Sequence, residues 1–173
     1  AELIDSFAWK HWKSINAPTD TQNLRVEVVD IWHFVMSLML QNYKNQGLGE
    51  IEKLASDICA ASGFSEFCKA SANVQDESIY EIMNDIEMLI HECSGFNVDM
   101  FGLLKIYFST ALKCGVNLYS LYECYVGKNV LNRFRQDHGY KDGAYKKVWN
   151  GKEDNAVMNE ILARGLKSVD EIY

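Results

Sequence analysis

The chain has 173 residues, 48% of them hydrophobic, which is the size of one domain with ample material for a single core. Its 17 Lys and Arg against 24 Asp and Glu leave a net charge of −7 and a pI near 5.1, a balance that argues against coating nucleic acid or an anionic membrane. No apolar run approaches the roughly 20 residues needed to span a bilayer.

Apolar residues recur at spacings of three and four along most of the chain, β alternation is scarce and the one proline is Pro18. The expected fold is therefore all-α, a multi-helix bundle forming a single domain over 1–173. A first helix is expected over Glu2 to Lys13, where AELIDSFAWKHWK enters in helical register with no cap before it, so the sequence is expected to start inside a helix. Its stripe is Leu3, Ile4 and Phe7, and Glu2 and Asp5 stand three apart. Trp9 and Trp12 share the same spacing and read as core or interface.

The second helix, Asn23 to Lys44, carries the stretch RVEVVDIWHF. Glu27 and Asp30 lie three apart in a run of Val, Ile, Trp and Phe, so both carboxylates project from one face of an otherwise apolar helix. Like charges in such a place repel, and each loses hydration, unless a cation lies between them. Hard oxygen donors suit Mg²⁺, or Mn²⁺ as a substitute. Two antiparallel helices joined by the NAPTDT turn could add Glu2 to this pair, with Asp5 and Asp20 as alternatives that spacing leaves open. A carboxylate cluster of this kind holds metal, activates water and neutralises phosphate.

Further helices are expected over Glu50 to Ala61, Ser65 to Ala70, Ser78 to Cys93, Met100 to Cys114, Leu118 to His138 and Asn155 to Leu162, with breaks at QGLG, ASG, CSG, CGVN and HGYKDG. Asp85 and Glu87 cannot share a helix face and read as solvated or paired. The five cysteines are odd in number and form no CxxC, the pattern of reduced thiols in a cytoplasmic protein.

One segment departs from the acidic balance. Between Val126 and Lys152 seven Lys and Arg face two acids. In GKNVLNRFRQDHGYKDGAYKKVWNGKEDN, Lys128, Asn132 and Arg135 follow the spacing i, i+4, i+7 and share one helix face. Lys141, Lys146 and Lys147 continue on an aperiodic loop or flap, interleaved with Tyr140, Tyr145 and Trp149. Arg grips phosphate oxygens through two donors and Lys supplies a point charge. In an acidic chain this favours a compact phosphate ligand over extended RNA.

The blocks AELIDSFAWKHWK, RVEVVDIWHFVMS and GKNVLNRFRQDHGYKDGAYKKVWNGKEDN, in that order, closely resemble the dimeric all-α dUTPases of kinetoplastids, Campylobacter relatives and some phages, which are related to MazG-like nucleotide pyrophosphatases. The resemblance covers nearly the whole chain, and the third block is its most specific part. It implies a homodimer that hydrolyses dUTP and dUDP to dUMP with Mg²⁺, limiting uracil incorporation into DNA. It makes Glu27 and Asp30 the ExxD metal pair and Glu2 the second Glu of an ExxE pair. Glu2 and Glu27 are then the catalytic carboxylates, Glu2 also orienting the attacking water.

By the same resemblance, the first Glu of ExxE falls just before Ala1, and the helix that reads uracil and sugar falls ahead of it, so the sequence is expected to be a shortened one. Phosphate contacts are implied for Lys128, Arg135, Tyr140 and the lysines Lys141, Lys146 and Lys147, with Asn132 near the nucleotide. His33, Phe34 and Ser37 match an HFxxS stretch and are expected to pack beside the site. Two other readings compete: a MazG-like pyrophosphatase for another nucleotide, and a non-catalytic helical interaction module on the same scaffold.

Overall fold

Eight helices and one small hairpin follow one another through the residues that the computed structural model describes, 2–7, 20–69 and 79–165. The chain falls into two compact units, Ala1–Tyr119 and Ser120–Tyr173. None of the helices is long and apolar enough to cross a membrane.

The first unit is organised by α2, Thr21–Gln46. Asp20 starts it by accepting the Asn23 N–H at 3.0 Å, and Gly47 ends it in the left-handed conformation that glycine adopts without a Cβ clash. Helix α1, Glu2–Asp5, is shorter than the expected Glu2 to Lys13. Ser6 and Phe7 close it with bonds back to Leu3 and Ile4, and the Ser6 carbonyl accepts the Asp20 N–H at 2.9 Å. The remainder of that expected helix, with Trp9 and Trp12, lies outside the described residues.

Helices α3 (Ile51–Ala60), α4 (Phe64–Lys69), α5 (Ile79–Cys93) and α6 (Met100–Lys113) complete the unit. Helix α6 is its centre: Leu103, Leu104, Tyr107, Phe108 and Ala111 are all buried. Tyr107 stacks on Trp32 of α2 at 5.0 Å, and Phe108 stacks on Phe67 of α4 at 4.9 Å. The Tyr107 hydroxyl donates to the Val28 carbonyl at 3.1 Å, so this buried polar atom is satisfied. Asp85 of α5 pairs with Lys113 of α6 at 2.9 Å.

The second unit takes up α7, Leu118–Asp137, from Ser120 onward. The aperiodic segment expected as a loop or flap carries some regular structure of its own. It holds a two-rung antiparallel hairpin, β1 (Val148–Trp149) and β2 (Lys152–Glu153), turned at Asn150 and Gly151, both with positive φ. Helix α8, Asp154–Ala163, then packs along α7. The close approach is made at Gly127, where a Cβ would stand 2.9 Å from Leu162 Cδ1 and 3.3 Å from Met158 Sδ.

Candidate functional site

In the first unit, α2 presents the carboxylate pair. Val26, Val28 and Val29 are buried, while Glu27 and Asp30, interleaved with them, are half-buried on one shared face. Helix α1 is tied to the start of α2: the Asn23 Nδ2 amide donates to Ser6 Oγ at 2.8 Å, and Leu3 and Phe7 are buried. Glu2 and Asp5 of α1 are exposed, and Asp20 serves as the α2 cap. Among the described residues no three His, Cys, Asp or Glu side chains gather where they could hold a metal ion. Glu27 and Asp30 alone still fit the chemistry of Mg²⁺, which is commonly held by one or two carboxylates with water and phosphate oxygens completing its octahedron.

The HFxxS stretch differs from the expected packing at two positions, Phe34 and Ser37, which are both exposed. Phe34 is 76% exposed and does not pack. His33 and Ser37 bond their own helix, the His33 Nδ1 to the Val29 carbonyl at 3.0 Å and the Ser37 hydroxyl to the His33 carbonyl at 2.8 Å.

In the second unit the spacing i, i+4, i+7 does bring Lys128, Asn132 and Arg135 to one face, and α8 draws them together. Asn155 Oδ1 accepts from Lys128 Nζ at 3.4 Å and from Arg135 Nη2 at 3.3 Å, while Arg135 Nη1 donates to Asn132 Oδ1 at 3.2 Å. The face is a buried one: Lys128 is 4% and Arg135 9% exposed. Burial of two cations calls for a carboxylate, and Asp154 supplies it. Arg135 donates to both of its oxygens at 2.8 Å, and the Tyr145 hydroxyl donates to Oδ2 at 2.8 Å.

The electrostatics follow. Burial pushes the Asp154 acid up, but hydrogen bonds from Arg135 and Tyr145 and the Arg135 charge outweigh it and hold the group below its ordinary value. The bond to Asp154 pushes the Arg135 guanidinium up. Tyr145 is pushed up to about 12, first by burial and then by the same carboxylate, so it remains a phenol donor.

The end of α7 places the next residue. Gly139 takes a positive φ, its N–H bonds the Gln136 carbonyl, and the Tyr140 N–H bonds the Arg135 carbonyl at 2.9 Å. This closure carries Tyr140 out to a half-exposed position with Lys147 Nζ 5.8 Å over its ring. Lys141, Lys146 and Lys147 are exposed. Asp154 and Asn155 were missed in the sequence, and Tyr145, singled out there only among the flap's aromatics, holds Asp154. The available signal was the acid in the first turn of a helix directly after the NGKE turn, where the helix dipole favours a carboxylate.

A family model described as dUTPase matches residues 1–140. The match takes in Glu2, Glu27, Asp30, Lys128, Asn132, Arg135 and Tyr140, and stops before Lys141, the hairpin and Asp154. A comparison with curated proteins found no match.

Proposed function

We propose, for a chain that belongs to the all-α dUTPase family and is a dUTP diphosphatase, that it converts dUTP, and also dUDP, to dUMP with Mg²⁺ as its cofactor. Glu27 and Asp30 hold the metal, and Glu2 joins them in orienting the attacking water. When bound, the metal polarises a phosphate oxygen and acidifies its water. Lys128, Asn132, Arg135 and Tyr140 take the nucleotide's phosphate end, and Lys141, Lys146 and Lys147 add point charges along it. Residues 1–173 serve this one activity, as a homodimer in the cytoplasm, where removal of dUTP limits uracil in DNA.

The observation that supports the reading best is the Glu27 and Asp30 pair, two half-buried carboxylates on one face of an otherwise apolar helix inside the matched residues. The exposed Phe34 on the same helix gives a second copy an apolar surface to cover. The five cysteines are unbridged, in keeping with a reducing compartment.

The test is pyrophosphate release from dUTP, dTTP, dCTP and UTP, with and without Mg²⁺. Selective, Mg²⁺-dependent release from dUTP is expected. Release that persists in excess chelator overturns the metal assignment, and equal rates on all four nucleotides overturn the substrate.

A further inference from the structure

Among the described residues of the second unit Asp154 is the most deeply buried charged side chain, 1% exposed, and it lies beyond the residues matched by the family model. Every donor around it comes from a different place. Arg135, in the last turns of α7, gives Nε to Oδ2 and Nη2 to Oδ1. Tyr145, on the flap, gives its hydroxyl to Oδ2, and the Asn155 N–H of its own helix reaches Oδ1 at 2.8 Å. Its backbone N–H in turn donates to the Lys147 carbonyl at 2.8 Å. One residue thus joins α7, the lysine-bearing flap and the start of α8. A buried anion so engaged cannot itself receive a phosphate, so any effect on a phosphate ligand has to pass through its neighbours.

We propose that Asp154 is a positioning residue: it turns the Arg135 guanidinium and pins the flap at Tyr145 and Lys147, so that the basic side chains stand in place before a nucleotide arrives. The inference rests on the reading above that these side chains take the phosphate chain. Lysines on long stems lose side-chain and loop freedom on binding, and a flap anchored in advance reduces that cost. The Tyr145 arm matters because it is the flap's own side-chain bond to the anchor, independent of Arg135.

The test compares dUTP hydrolysis with competitive inhibition by deoxyuridine, which has no phosphate, in the full chain and in Asp154→Asn, Asp154→Glu and Tyr145→Phe. Asp154→Asn and Tyr145→Phe are expected to raise KM for dUTP by about 10- to 100-fold while leaving deoxyuridine inhibition unchanged, and Asp154→Glu to recover part of the loss. An unchanged KM in both variants overturns the proposal, as does a parallel loss of dUTP and deoxyuridine affinity, the mark of a merely structural role. If Asp154→Asn does not fold, Tyr145→Phe decides alone. If the wild-type chain cleaves no dUTP, the functional reading fails by itself, and calorimetric binding of inorganic tripolyphosphate to the same variants then decides on Asp154: weaker binding supports the anchor and equal binding overturns it.

Discussion

Arg135 and Asp154 meet through two parallel hydrogen bonds of 2.8 Å, with side chains only 11% and 1% exposed. A pair this deep is costly to break on one side, because the surviving charge stays buried without its partner. Asp154→Ala should therefore lower stability by about 3 kcal/mol in urea denaturation followed by circular dichroism. A loss near zero would mean that Arg135 swings to water at little cost.

The same carboxylate sets an acid limit. Its folded pKa lies below the ordinary 3.8, so its contribution to stability is complete above that value and is lost as pH falls through the folded pKa. The stability difference between wild type and Asp154→Asn should accordingly be full at about pH 6 and shrink below about pH 4. A difference that is flat across that range would count against a depressed Asp154.

Glu27→Gln keeps the size of the side chain and removes one hard, charged oxygen donor. Mg²⁺-dependent turnover of dUTP should fall by about 100-fold or more, with the helical circular dichroism signal intact. Turnover within a few-fold of wild type would remove Glu27 from the metal site. Asp30→Asn should behave alike, since the two share one face of α2.

Gly127 lets α8 lie against α7, with Leu162 and Met158 filling the space of a side chain. Gly127→Leu should cost about 1 to 3 kcal/mol by overpacking this contact, and should raise KM for dUTP through displacement of Asp154 and Asn155 on α8. Gly127→Ala meets only the flexible ends of Leu162 and Met158 and should be far milder. Thermal melts and initial rates of the two variants side by side measure both effects.

Helices α2 and α6 were legible because strong local signals bound them: Asp20 before α2, Gly47 after it, Asp99 accepting the Phe101 and Gly102 N–H groups at the start of α6. The shared face of Glu27 and Asp30 was legible because charges among valines contradict their surroundings. Helix α1 was overread, since a register that suits a helix says nothing of the Asp20 N–H that takes the Ser6 carbonyl. The hairpin's strands left no trace, since two residues per strand cannot show alternation, and only the Asn150-Gly151 turn pointed to it. Asp154 stayed hidden for another reason. An acid in NGKEDN looks solvated, and what buries it is an arginine nineteen positions earlier.

Two rungs make too short a ladder to sustain themselves in water. Phe134 of α7 adds to what holds the hairpin, with Trp149 edge-on at 5.4 Å and Tyr145 edge-on at 6.3 Å. The flap is therefore not a portable module. Grafted onto another scaffold without the end of α7, the segment YKKVWNGKED would carry its turn chemistry and its internal bonds and still lose its shape, because Phe134 and Arg135, on which its aromatics and Asp154 rest, stay behind on the helix.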